Sequence, residues 1–269
     1  MKIAIIGYGK MGKMVEQAAI AQGHTIAAIV DPLVKEEGLS AGGGAQSAAH
    51  CAAQYREITG DFGGAEAAIE FTQPGTALAN IKTLAQRKIP SVIGTTGWYD
   101  KLGEARQAVE SAGASLIWAS NFSLGVNIFY RIAWYAAHLV DSFPEYDVGG
   151  FESHHNKKLD SPSGTAKTLV EGVLARIKRK DKAVWETLDR RPEPNEIHFP
   201  SLRIGSVPGT HSLIFDSPAD SIEITHTARS REGFASGAVR AASWLVNGET
   251  GIRKGFFSID DMLKEVLGS

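Results

Sequence analysis

Four side chains that could carry chemistry stand close together: His154, His155, Lys157 and Lys158, just ahead of Ser161-Pro162-Ser163-Gly164-Thr165. A Ser-Pro-Ser-Gly stretch before an apolar periodic run marks a helix start. The first backbone N–H groups of a helix have no partner within it. Here that places cationic side chains beside the N–H groups of Gly164 and Thr165, a seat suited to the carboxylate of a small anionic substrate. In extended chain, successive side chains point to opposite sides. His154 and His155 can therefore divide the work, one facing a substrate while the other packs or orients a neighbour. A single histidine is more often structural than catalytic, but two beside two lysines at a helix start weigh toward function. The bland alternatives are that Ser161 or Ser163 only caps the helix, and that Lys157 and Lys158 are solvated.

A second constellation opens the chain. Gly7, Gly9 and Gly12 spell G-x-G-x-x-G between the apolar run Lys2–Ile6 and a helical stripe of Met11, Met14, Val15, Ala18 and Ala19. The first glycine allows a tight turn, the second a close backbone approach to a pyrophosphate, and the third close helix–strand packing. Tyr8, Lys10 and Met11 complete this expected cofactor loop. Asp31 ends the next apolar run, Thr25–Val30, where a carboxylate can hold both ribose hydroxyls of a dinucleotide. It would repel a 2′-phosphate, and Pro32 follows where an arginine would neutralise that group. NADH is therefore favoured over NADPH, with Lys35 or Lys10 able to soften the preference. Gly94-Thr95-Thr96-Gly97 and Ala119-Ser120-Asn121-Phe122-Ser123 follow two further strand-like runs. Gly94, Thr95, Thr96, Ser120, Asn121 and Phe122 are candidate contacts to the nicotinamide carboxamide and ring, although each segment alone reads as a plain turn. Glu70-Phe71-Thr72 is a similar strand end.

Other chemistries find less support. The remaining histidines (24, 50, 138, 198, 211 and 226) are scattered and no paired Cys/His spacing occurs, so no metal is expected. No G-x-S-x-G elbow is present. The single cysteine, Cys51, fits a reducing compartment and a small apolar role. A formal net charge of −2 provides no global basic field for nucleic acid. No apolar run is long enough to span a bilayer and no signal segment is visible, so the cytoplasm is the expected location.

These residues need positioning elements. Up to about residue 123, strand-like runs (Lys2–Ile6, Thr25–Val30, Ala67–Phe71, Ser91–Ile93, Ser115–Trp118) alternate with helical stretches near 75–87 and 100–112, the pattern of a doubly wound parallel α/β sheet. Ser40–Ala53, with Gly42-Gly43-Gly44, reads as a loop. A long helix, Val126–Val140, then leads to a helix from Thr165 to about Lys178. Alternating runs follow at Ile197/Phe199, Leu202/Ile204, Leu213/Phe215 and Ile222/Ile224, expected to form an open, mixed or largely antiparallel sheet. Helices at Gly237–Val246 and Ile259–Leu267, the latter capped by Ser258 or Asp260, should return to the first sheet. The expected organisation is a Rossmann-like dinucleotide-binding domain of residues 1–123 and 234–269, and an α+β substrate-binding and oligomerisation domain of residues 124–233.

The chain resembles the dihydrodipicolinate reductase family. The resemblance rests on Gly9-Lys10-Met11-Gly12, Phe71-Thr72-Gln73-Pro74, Gly94-Thr95-Thr96-Gly97, Asn121 to Asn127 and the His-His-x-x-Lys-x-Asp-x-Pro-Ser-Gly-Thr pattern of 154–165. Ile224-Thr225-His226 and Phe234 to Arg240 extend it over nearly the whole chain. It implies NAD(P)H-dependent reduction of 4-hydroxy-tetrahydrodipicolinate, a dicarboxylate, in the diaminopimelate route to lysine. By the same resemblance His154 is the catalytic acid/base, Lys158 the proton donor, His155 a substrate contact, Gly164 and Thr165 the carboxylate cradle, and the assembly a homotetramer. Three departures stand out: a glycine loop one residue shorter, Asp31 without a following arginine, and Ser161 in place of alanine. The alternatives are a two-domain amino-acid dehydrogenase such as an aspartate dehydrogenase, and a non-catalytic NADH-binding sensor.

Overall fold

The computed structural model describes residues 1–33, 53–58 and 62–267. Lys35, His50, Cys51 and nearly all of the expected Ser40–Ala53 loop lie outside them. The chain divides into two compact units, Met1–Ser123 with Phe234–Ser269, and Leu124–Gly233.

The first unit is built on a seven-stranded sheet ordered β13-β6-β5-β4-β1-β2-β3, with every pairing parallel. Its strands are β1 (Lys2–Ile6), β2 (Thr25–Val30), β3 (Ala53–Tyr55), β4 (Ala67–Glu70), β5 (Ser91–Ile93), β6 (Ser115–Trp118) and β13 (Gly255–Ser258). Its helices are α1 (Lys10–Ala21), α2 (Pro74–Gln86), α3 (Leu102–Ser111, after a single 3-10 turn at Tyr99–Lys101), α6 (Glu232–Val246) and α7 (Ile259–Leu267). The central strands read as continuous apolar runs because helices leave them no solvent face. In β4 every residue is buried, Glu70 included. The strand order reverses between β1 and β4, which flank the glycine loop, and this is where doubly wound sheets bind their ligands.

Sequence periodicity misses the short β3 and β13. It also starts α6 at Gly237, whereas the helix begins at Glu232, whose N–H is held by Ser230 Oγ at 3.1 Å. Gly237 lies inside the helix because a Cβ there would stand 1.8 Å from the Phe122 carbonyl oxygen. Ser258 directly precedes α7, and its N–H and Oγ both donate to Asp261 Oδ2 in the first turn, at 2.7 and 2.8 Å.

The second unit holds α4 (Leu124–Val140), β7 (Asp147–His154), α5 (Gly164–Leu174), β8 (Lys182–Val184), β9 (Glu196–His198), β10 (Ser201–Arg203), β11 (Thr210–Asp216) and β12 (Ser221–Thr227). Four strands form a mixed sheet ordered β10-β7-β11-β12, and β8 and β9 pair separately. Phe129, Tyr130 and Ala133 of α4 and Leu169, Val170 and Val173 of α5 share a core with Val148, Leu213 and Phe215 of the sheet. The helix α5 ends four residues before the expected Lys178. Its apolar stripe does continue to Ile177, which is fully buried. The Lys178 N–H, however, is taken by Asp141 Oδ1 at 2.9 Å rather than by a carbonyl one turn back. Among the described residues no helix is long and apolar enough to cross a membrane.

Candidate active site

In the first unit the three loop glycines are required for three different reasons. Gly7 has φ +88°, and a Cβ on it would lie 2.2 Å from the Phe71 carbonyl oxygen on the neighbouring β4 loop. Gly12 would set a Cβ 2.2 Å from the Gly7 carbonyl oxygen, which lets α1 lie against the turn. Gly9 caps α1, and nothing lies within 4 Å of where its Cβ would project, so the backbone there is open to approach. Asp31 sits at the end of β2 and is tied to this loop: its Oδ2 accepts the Tyr8 N–H at 2.7 Å and its Oδ1 the Leu33 N–H at 2.9 Å. The Tyr8 hydroxyl donates to the buried Glu16 of α1, and Lys13 Nζ lies 5.9 Å over the Tyr8 ring. Burial, with the Glu16 bond adding to it, pushes the Tyr8 phenol above its usual range.

The loops after β4, β5 and β6 are largely self-satisfied. Thr95 Oγ1 accepts the Thr72 N–H at 2.7 Å, and the Thr72 hydroxyl donates to Glu70. Burial raises the Glu70 carboxyl against the bonds from Thr72, Thr95 and Asn80. Gly94 is required because the Phe71 ring packs within 2.1 Å of where its Cβ would be. Asn121 Oδ1 accepts the Ser123 N–H at 2.8 Å. Phe122 is buried, with its carbonyl oxygen packed against Gly237, whereas Thr96 and Ser120 are exposed.

In the second unit β7 delivers Glu152 and His154 to one face, since they are two residues apart. Strand register then builds a line of polar residues: Ser201 of β10 and His211 of β11 lie directly opposite Glu152, and His226 of β12 lies opposite His211. The Glu152 carboxylate is fully buried. Its Oε1 accepts Ser201 Oγ at 2.7 Å and the Ser163 N–H at 3.0 Å, with Arg203 Nη2 at 3.4 Å. Its Oε2 stands 3.3 Å from His211 Nε2 and 3.4 Å from His154 Nδ1. Burial pushes this carboxyl up, but His211 beside Oε2 and the bonds from Ser163 and Ser201 outweigh it and hold Glu152 well below the usual carboxylate range.

The His154 and His211 rings meet edge to face with centroids 5.1 Å apart. Burial pulls the His154 imidazole from 6.5 down to about 4, against the attraction of Glu152 and helped by His211, Lys158 and Arg203, so the ring is neutral near pH 7. Ser163 is the N-cap of α5: its Oγ accepts the Ala166 N–H at 3.1 Å. Gly164 and Thr165 supply the first two N–H groups, ahead of the helix's own bonding. Lys158 pairs with Asp160 at 2.7 and 2.9 Å in the turn after β7, while Lys157 is exposed.

Glu152 thus links His154 of β7 to the N-cap Ser163 of α5, and sequence reasoning misses two members of this cluster: Glu152 itself and His211. Sequence alone counts His211 among the scattered histidines. The structure corrects this, because the β7–β11 register sets it against Glu152. Ligand-capable atoms of Glu152, His154 and His211 lie within 4.8 Å of one another, a grouping that linear Cys/His spacing does not reveal.

Two family models match the chain, the dihydrodipicolinate reductase N-terminus over residues 1–122 and its C-terminus over residues 125–263. The chain belongs to the dihydrodipicolinate reductase family. A 4-hydroxy-tetrahydrodipicolinate reductase of Christiangramia forsetii is 37% identical over 99% of both chains. One of Archaeoglobus fulgidus is 35% identical over 98% of this chain and 100% of its own. The fold is shared with a dipicolinate-bound dihydrodipicolinate reductase of Paenisporosarcina sp. TG-14, at a TM-score of 0.71 and 20% identity over 96% of this chain and 97% of that one. Membership makes the protein an oxidoreductase of the diaminopimelate route to lysine, which reduces 4-hydroxy-tetrahydrodipicolinate with a nicotinamide cofactor. It also sets aside the amino-acid dehydrogenase and sensor readings.

Proposed function

We propose that the two units divide the reductase reaction. Residues 1–123 and 234–269 hold the cofactor, and residues 124–233 hold the substrate and assemble the homotetramer. Gly7, Tyr8, Gly9, Lys10, Met11 and Gly12 seat the diphosphate on the N-terminus of α1, where helix N–H groups favour an anion. Thr95, Thr96 and Gly94, with Ser120, Asn121 and Phe122, line the nicotinamide end. Asp31 selects NADH: its negative charge is pinned at the loop by two backbone N–H groups, and no arginine follows to accept a 2′-phosphate.

On the substrate side, the N–H groups of Gly164 and Thr165 hold one carboxylate and His155 contacts the same ligand. Loss of the 4-hydroxyl as water gives a conjugated ring, and hydride addition to its C4 builds electron density that a proton must relieve. Lys158 donates that proton. His154, neutral near pH 7, serves as the base that receives and returns protons in the cycle. The observation that carries this reading is the buried imidazole of His154, neutral near pH 7 and tied through Glu152 to the N-cap of the helix whose first N–H groups are those of Gly164 and Thr165. The reaction takes place in the cytoplasm.

The test is the initial rate of NADH and then NADPH oxidation, with substrate generated freshly from pyruvate and aspartate semialdehyde by the preceding synthase. Oxidation should require the synthase product and be faster with NADH at limiting cofactor. A preference for NADPH would remove the role given to Asp31. A folded, cofactor-binding chain that oxidises neither would overturn the division of labour.

A further inference from the structure

The two oxygens of the buried Glu152 carboxylate have unlike surroundings. Three donors converge on Oε1, from Ser163, Ser201 and Arg203. Oε2 has no aligned hydrogen bond and stands between His154 Nδ1 and His211 Nε2. A buried carboxylate oxygen without a donor is costly, and the imidazoles are the groups within reach that can supply one. His211 Nε2 already meets Ser163 Oγ at 3.2 Å, whereas His154 Nδ1 has no other partner, so a neutral His154 that supplies the donor carries its proton on Nδ1 and leaves Nε2 bare. Gly209 keeps that side of the ring uncovered, since a Cβ there would come within 3.0 Å of Nε2.

We propose that Glu152 is a positioning residue that fixes the Nδ1–H tautomer of His154, so that Nε2 faces the reaction as a proton acceptor. Through Oε1 and the Ser163 N–H, the same carboxylate ties that tautomer to the first turn of α5. One side chain thus sets the imidazole and the carboxylate cradle in register. The proposal rests on the catalytic role given to His154.

The substitution E152Q tests it with little change in volume. The three donors on the Oε1 side draw the Gln carbonyl oxygen to that side, so its NH2 group points at the imidazoles. An NH2 donor facing His154 Nδ1 requires that nitrogen to be bare, which moves the ring proton to Nε2. The full-length chain with 15N-labelled histidine reports both ring nitrogens by NMR, the His154 signals being those lost in H154Q. Wild type should carry Nδ1–H and E152Q Nε2–H, with kcat lower by about a hundredfold or more and the KM for NADH unchanged.

A wild-type His154 protonated on Nε2 would overturn the proposal outright, even if E152Q failed to fold. So would an E152Q protein that keeps Nδ1–H. An inverted tautomer with unchanged kcat would confirm the anchoring and sink the catalytic role of His154, and the functional proposal with it.

Discussion

Each half of the molecule uses a carboxylate in a strand or at its end, and the two are put to different uses. Asp31 gives both oxygens to backbone N–H groups, those of Tyr8 and Leu33. Glu152 gives one oxygen to Ser163, Ser201 and Arg203, and turns the other to two imidazoles. In the proposed division of labour the first arrangement shapes backbone whose N–H groups meet a phosphate, and side chains are missing at Gly7 and Gly12. The second, in the same proposal, controls protons, and its side chains are buried together. Backbone recognition is therefore sensitive to an added methyl, and proton handling to a lost charge.

The largest effect should come from the proton-handling side. Lys158→Ala removes the proposed donor, and kcat should fall about 10²- to 10⁴-fold. The NADH dissociation constant, read by fluorescence titration, should stay within a factor of about two, because the cofactor loop belongs to the other unit. A large loss of NADH affinity would mean that the two regions are not separable in this way.

The backbone side gives the opposite signature. Gly12→Ala forces a Cβ to within 2.2 Å of the Gly7 carbonyl oxygen, whereas Gly9→Ala meets nothing within 4 Å and has φ −73°, which alanine adopts freely. Gly12→Ala should lose about 2–4 kcal/mol in urea unfolding. Gly9→Ala should stay within about 0.5 kcal/mol of wild type while binding NADH more weakly. Equal stabilities for the two variants would show that the loop can shift by the needed ångström.

The contrast also explains what can be read from the chain. Constraints in the glycine loop are local: strand, turn and helix follow within a dozen residues, so motif and fold coincide. The same holds from His154 to Thr165, where the N-cap Ser163 and the free N–H groups follow from Pro-Ser-Gly-Thr. Glu152 and His211 are not legible in that way. Their meeting depends on the pairing of β7 with β11, and no period within either segment reports which residues will be opposite. Short elements fail for a related reason, since β3 and β13 are too brief to show a period and gain their place from neighbouring strands. At Gly237 a glycine suggests a helix boundary but marks a close approach to Phe122.

A smaller effect is expected at Asp31. Asp31→Asn keeps an acceptor for one N–H but removes the charge. NADH binding should weaken by about tenfold and NADPH binding by less, narrowing the ratio of their dissociation constants. Equal weakening would mean that Asp31 acts only by tying the Tyr8 N–H, with no contact to the ribose.

The smallest effect is a pH dependence of stability that only the buried cluster should show. The unfolded chain takes up a proton on His154 near 6.5, whereas the folded chain does so only near 4, because burial, reinforced by His211, Lys158 and Arg203, outweighs the pull of Glu152. Between those values the unfolded state binds more protons, so stability rises with pH there, is fully present above about 6.5 and is lost progressively toward 4. Glu152 is shifted in the same direction but in a lower window: its contribution is present above 4.5 and is lost only as pH falls further. The two windows therefore barely overlap. Urea unfolding at about pH 7 and about pH 5 should show wild type losing on the order of 1 kcal/mol more than His154→Gln, less than the full shift implies because water reaches part of the ring. Parallel curves for His154→Gln would instead place His154 in contact with water, and the difference between the two carboxylates would reduce to geometry alone.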